Sequence, residues 1–173
     1  MKRWGVAALV LILCAAVGLC VRLRGFGLVR ISGTSMNNTL KSGDVVLVTR
    51  YDCQSDRPPE FGDVVECRFP GREDTYIKRV IGLPGETVQI IDSVIYINGE
   101  SLEENYGQGV YFLAGSAADP VVLGDDEYFV LGDNRNNSID SRYAVGKVKR
   151  EQITGRAVFR FWPFSSFGSL KGR

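Results

Sequence analysis

The sequence predicts a mostly β fold, an antiparallel barrel-like body preceded by one apolar N-terminal helix. Three observations lead there. An unbroken apolar run opens the chain, helical periodicity disappears after it, and short β-type runs separated by Gly, Asp and Asn turns fill the remainder. With 173 residues there is room for one domain. A content of 45% hydrophobic and 24% charged residues with 6 Pro belongs to a folded chain and not to a disordered one.

The apolar run, Trp4 to Val21 (WGVAALVLILCAAVGLCV), holds 18 residues without a charge. As a helix it measures about 27 Å, enough to span a bilayer. Lys2 and Arg3 precede it and Arg22, Arg24 and Arg30 follow it, so flanking charge does not set an orientation. A cleaved secretory signal fits less well, because the run exceeds the usual apolar core of about 7 to 15 residues. It also ends in Leu19, Cys20, Val21 and Arg22 instead of an A-x-A site. A buried soluble helix is the third reading. The expectation is a stub and transmembrane anchor over residues 1–24, with residues 25–173 forming the body.

In the body, Leu28 to Ile31 is the first expected strand. Val45 to Arg50 and Val64 to Phe69 each follow a Gly-Asp turn, Gly43-Asp44 and Gly62-Asp63. Tyr76 to Gly82 comes next. Thr87 to Ile91 and Val94 to Ile97 flank Asp92-Ser93, and Asn98-Gly99 closes the second, the pattern of a hairpin or meander. Tyr128 to Leu131 follows Gly124-Asp125, and Thr154 to Phe161 is the last. Arg57 to Gly62 and Glu103 to Pro120 read as loops. About eight strands without intervening helices favour a closed or partly closed barrel.

Composition also excludes chemistries. Lys+Arg 21 against Asp+Glu 20 leaves a net charge of +1, without the basic surplus that nucleic-acid binding uses. The chain has no His, which removes Ser-His-Asp and Cys-His catalysis and almost all zinc hydrolases. Of four Cys, Cys14 and Cys20 lie in the apolar run, so Cys53 and Cys67 cannot complete a metal site. No metal and no cofactor is expected. A proton shuttle in this chain must be a carboxylate, Lys, Tyr or Cys.

Four segments differ from ordinary turns. In Ser32-Gly33-Thr34-Ser35-Met36-Asn37-Asn38-Thr39-Leu40, small residues surround a Ser; the plain alternative is a loop. In Tyr76 to Glu86 (YIKRVIGLPGE), Lys78 interrupts an apolar strand, where an edge-strand lysine facing water is the plain alternative. Leu131 to Arg142 (LGDNRNNSIDSR) is a dense polar run, and Gly43-Asp44 is a turn entering a strand.

Together these segments resemble the bacterial type I signal peptidases, Ser-Lys membrane proteases. The family order is an anchor, S-M-x-P-T-L, G-D, Y-I-K-R-V-I-G-L-P-G-E and G-D-N-R-x-N-S-x-D-S-R, and the resemblance covers nearly the whole chain. The single anchor and the ending Gly155 to Phe164 (GRAVFRFWPF) look like the compact Gram-positive forms. The resemblance implies Ser35 as nucleophile and Lys78 as general base. It further implies Ser138 orienting the lysine amine, Asp133 pairing with Arg79, and Asp140 and Arg142 bracing the site. Two positions depart from the pattern. Asn38 stands where the family has Pro, which is expected to relax a rigid turn. Gly33 stands where some relatives carry a Ser that helps hold the oxyanion, leaving that work to backbone N–H groups.

The chemistry of the residues agrees. A Ser hydroxyl is a poor nucleophile until a base takes its proton, and without His a lysine is the natural substitute. Lys is protonated up to about pH 10.4 in water, so burial between Ile77 and Val80-Ile81 must depress its pKa. The expected reaction is acyl transfer, with exported preproteins carrying signal peptides as substrates and A-x-A-like sites cut by resemblance. The lipid bilayer is the other expected partner, met through Phe26, Leu28, Phe161, Trp162 and Phe164. Ordinary core is the alternative for Phe159 to Phe164. The expected location is the cell membrane, single-pass, with the catalytic domain extracytoplasmic. Two other functions fit less well. A self-cleaving Ser-Lys regulator lacks an anchor, and an inactive tethered β-barrel binding module would not need Ser35, Lys78 and Ser138. Cys53 and Cys67 are expected either as free thiols or as a disulfide closing a loop of about 15 residues.

Overall fold

The computed structural model describes residues 7–8, 10–15, 18, 25–50, 57–107, 111–143 and 145–170. Twelve strands are present among them: β1 Phe26–Arg30, β2 Val45–Arg50, β3 Val64–Arg68, β4 Thr75–Gly82, β5 Thr87–Ile91, β6 Val94–Ile97, β7 Glu100–Ser101, β8 Val121–Val122, β9 Glu127–Leu131, β10 Val148–Lys149, β11 Ile153–Trp162 and β12 Gly168–Ser169. All eight expected strands form, and β2, β5 and β6 run over the expected residues. The turn chemistry explains the last two. Asp92 and Ser93 both have positive φ, as do Asn98 and Gly99, the geometry of two-residue hairpin turns, so β5, β6 and β7 fold back in succession.

The body differs from a single barrel. Two antiparallel sheets form, and neither closes among the described residues. One runs β1-β2-β11-β3-β4-β9-β10 with β12 beside β11, the other β7-β6-β5-β8. β5 and β6, counted above as barrel strands, therefore belong to a separate sheet. The switch occurs after Gly82, where the Leu83-Pro84-Gly85 turn carries the chain out of β4. β11 is the long organising strand: its first half pairs with β3, its second half with β12, and β2 lies along its other edge across two register shifts.

Alternation along the strands sorts side chains into three clusters. Ile81, Phe129 and Leu131 join Val88, Ile90 and Ile95 of the small sheet. Val80, Tyr128 and Val130 join Val65, Cys67 and Ile153. The third cluster gathers Met36 and Leu40, which flank the Ser35 turn, with Val46, Val48, Val64 and Ala157. β4 and β9 are thus buried on both faces, and a polar side chain on either must find its partners inside the protein.

The apolar N-terminal run is helical at residues 7–8, 10–15 and 18, with Val10, Leu11, Ile12 and Leu13 exposed. No helix among the described residues is long and apolar enough to cross a membrane, and the rest of Trp4 to Val21 lies outside them. Cys53 also lies outside the described residues. Cys67 is a buried free thiol that donates to the Tyr76 carbonyl at 3.5 Å.

Candidate functional site

Ser35 lies in the turn that follows β1, and the turn is held from four sides. Met36 and Leu40 sink into the core, and the N–H groups of Thr39 and Leu40 both donate to the Met36 carbonyl. Thr39 Oγ1 donates to Asp133 Oδ2. From the loop after β9, Asn134 N–H donates to the Ser35 carbonyl at 2.9 Å. The side-chain amides of Asn134 and Asn137 reach Thr34 O and Thr34 Oγ1. The Ser35 hydroxyl is thereby presented on a fixed backbone.

Lys78 comes from the middle of β4, 43 positions away in sequence, and is 1% exposed. Its Nζ lies 2.8 Å from Ser35 Oγ and 3.0 Å from the Ile77 carbonyl. Burial lowers the Lys78 pKa from 10.5, while Cys67 and the carboxylates of Asp140 and Asp133 pull the other way. The neighbouring Cys67 thiol is pushed up to about 12 by its own burial, so it brings no negative charge at neutral pH. Desolvation outweighs the acidic neighbours, and both carboxylates are engaged by arginines.

Those engagements are two buried, bidentate ion pairs. Arg79 Nε and Nη2 grip Asp133 at 2.8 and 2.7 Å, and the guanidinium also donates to Gly62 O and Thr39 Oγ1. Arg142 Nε and Nη2 grip Asp140 at 2.9 Å each. Asp140 also accepts the Gly132 N–H at 3.1 Å. Asp133 and Arg79, expected to pair, are in contact in this geometry, and Asp140 and Arg142 pair with each other. Ser138 differs from expectation: its hydroxyl is buried without a hydrogen-bond partner, and the Lys78 amine bonds Ser35 and Ile77 instead. Ser138 nevertheless lies near the Ser35 backbone: a side chain on Gly132 would begin 2.6 Å from Ser138 Cβ and 2.5 Å from the Ser35 carbonyl oxygen.

Asn38, expected to relax the turn, is instead tied within it. It holds φ at 93°, and its Nδ2 donates to Tyr106 O at 2.8 Å. Gly33 also has a positive φ, 89°, and lies in the wall of the cleft. A serine there would be strained by its backbone rather than by lack of space.

The sequence reading missed several contributors. Glu104 forms a two-point ion pair with Arg135, whose Nε donates to Gly132 O at 3.0 Å. Tyr106 places its ring 4.0 Å from the Arg79 guanidinium. Both belong to the aperiodic Glu103 to Pro120 segment, which gives no local signal. Thr39 was legible only as part of the Ser35 segment.

A cleft of about 360 Å³ opens over the pair, walled by Val29, Ile31 and Met36 on one side and Asp74 to Lys78 on the other. Both walls are strand edges among the described residues, where β1 pairs only with β2 and β9 joins β4 only from Arg79 onward. Such an arrangement can add an extended peptide between the edges, with its carbonyl set against a hydroxyl and an amine.

The family model described as signal peptidase, peptidase S26, matches residues 1–162. A probable signal peptidase I-2 of Synechocystis is 40% identical over 149 residues, covering 81% of this chain and 65% of that protein. A signal peptidase I of Bacillus licheniformis is 34% identical over 165 residues, covering 90% and 87%. Among solved structures, a signal peptidase I of Enterococcus faecalis is similar at 36% identity and a TM-score of 0.46, covering 59% of this chain and 98% of that one.

Proposed function

The chain belongs to the signal peptidase family, peptidase S26, and we propose that it is the serine endopeptidase that removes N-terminal signal peptides from exported preproteins. The observation that carries this reading is the 2.8 Å contact between Ser35 Oγ and a lysine amine that burial favours in its neutral form.

The neutral Lys78 amine accepts the Ser35 proton as Oγ attacks the scissile carbonyl. Backbone N–H groups, that of Ser35 among them, stabilise the oxyanion. The Lys78 ammonium then protonates the leaving amine, the acyl-serine ester remains, and Lys78 deprotonates the water that hydrolyses it. Arg79 with Asp133 and Arg142 with Asp140 fix the two loops and keep their own charges compensated, so that neither carboxylate is free to hold the lysine protonated. Preprotein residues before the cut lie extended between the edges of β1 and β4. The walls offered by Val29, Ile31, Met36 and Ile77 suit small apolar side chains.

Residues 1–24 supply the anchor and 25–173 the extracytoplasmic catalytic domain in a single-pass arrangement. The 13 residues from Arg22 to Ser35 keep the nucleophile within roughly 45 Å of the bilayer even when fully extended. Phe161, Trp162, Phe164 and Phe167 are each about half exposed or more, and Leu28 is 62% exposed. They are not core, and they form the face that meets the lipid interface.

The detergent-solubilised protein is expected to release mature protein from a preprotein, with N-terminal sequencing placing the cut after the signal peptide. An uncut preprotein would refute the reading. The pH profile is a separate check. The rising limb of kcat/KM should lie below 10.5, the ordinary lysine value, because burial lowers the Lys78 pKa. A limb at 10.5 would show a solvated base.

A further inference from the structure

We infer that Asn38 is a positioning residue for the Ser35–Lys78 pair, acting through a positive-φ backbone and a side-chain tie to Tyr106. The inference rests on the peptidase reading above. Asn38 lies three residues past Ser35 at φ 93°, a region that Asn enters more readily than most side chains. Proline, with φ fixed near about −65°, cannot enter it. Its Nδ2 donates to the Tyr106 carbonyl at 2.8 Å, across 68 positions of sequence. A proline there would provide neither the conformation nor the donor.

The tie leads to the base. The Tyr106 ring lies 4.0 Å from the guanidinium of Arg79. Arg79 follows Lys78 in β4, and Lys78 Nζ lies 2.8 Å from Ser35 Oγ. Ser35, Asn38, Tyr106, Arg79 and Lys78 therefore close a ring of covalent and non-covalent links that begins at one reacting group and ends at the other. The rest of the turn is secured separately, by Met36 and Leu40 in the core and by Thr39 on Asp133. Asn38 itself is exposed. Altering it loosens the side of the turn facing the small sheet without opening a cavity, and transfer of the Ser35 proton depends on how well that side is held.

Three variants of the full chain, assayed on a preprotein with kcat and KM resolved, test this. Asn38→Gly keeps the positive φ and deletes the amide. Asn38→Asp keeps the shape but sets a carboxylate oxygen against the Tyr106 carbonyl. Asn38→Pro removes both features. The first two should lose kcat about tenfold with KM within about twofold, and Asn38→Pro should lose at least about a hundredfold. Wild-type kcat in Asn38→Gly and Asn38→Asp, or in Asn38→Pro, overturns the inference. So does a fall in melting temperature with kcat per folded molecule unchanged, which is what a purely structural role would give. If the wild-type protein cuts no preprotein, the peptidase reading fails and the tie is judged by amide hydrogen exchange at residues 36–40 and 104–107. Faster exchange in Asn38→Gly supports the tie, and unchanged exchange overturns it.

Discussion

Lys78→Met is expected to fold and to process preprotein at least about 10³-fold more slowly than wild type, a loss on the scale of removing a nucleophile's only base. The substitution fills the same buried volume without an amine. No other titratable side chain is within hydrogen-bond reach of Ser35 Oγ among the described residues. Ser35→Ala should be equally inactive, and the double variant no worse, because the two groups act as one unit. Lys78→Arg should also fail, since a guanidinium stays protonated at working pH. Substantial turnover in Lys78→Met, measured by release of mature protein, would remove lysine from the mechanism.

The same variant checks the burial argument through stability. The folded-state pKa of Lys78 is lowered from 10.5 by burial, whereas in the unfolded chain the amine keeps its ordinary value. Between the lowered value and 10.5, unfolding takes up a proton, so stability rises with pH across that window. The cost of the buried ammonium is fully present below the lowered pKa and gone above 10.5. Lys78→Met has no such group. The melting temperature of wild type relative to Lys78→Met should therefore climb from neutral pH toward 10.5, and a constant difference would mean that the amine is not desolvated.

Local chemistry made parts of this molecule legible and long-range pairing hid others. The β5–β6 hairpin could be read because alternation and the Asp92-Ser93 turn both act over a few residues. The pairing of Asp133 with Arg79 was expected only because the motifs carrying them were recognised together; neither residue signals the other locally. Barrel closure was misjudged because the choice between one sheet and two depends on where β5 finds its partners, and β8 pairs with it from 30 residues downstream. The two-residue strands β7, β8, β10 and β12 are too short for any period to register. Asn38 misled for another reason. The absence of Pro reads as lost rigidity, yet positive φ and one amide hydrogen bond fix the turn in a way the letters alone do not display.

Gly132→Ala is expected to reduce processing by at least about a hundredfold while the protein still folds. A Cβ on Gly132 would start 2.5 Å from the Ser35 carbonyl oxygen and 2.6 Å from Ser138 Cβ, and would overlap Ser138 Oγ. The Ser138 hydroxyl can rotate away, but the Ser35 carbonyl is backbone and Ser138 Cβ is fixed to its own backbone. Gly132 cannot retreat, because its N–H is held by Asp140 and its carbonyl by Arg135. The strain must move the Ser35 backbone, whose carbonyl also takes the Asn134 N–H. Overpacking of this kind costs about 1–3 kcal/mol of stability, a shift a melting curve will resolve without accounting for the lost turnover. A second substitution separates the two collisions. Ser138→Gly clears the side-chain overlap and leaves the Ser35 carbonyl in the way, so adding it to Gly132→Ala should recover stability and little activity. Full recovery of turnover would show that Ser138, and not the nucleophile's backbone, is what Gly132 keeps clear.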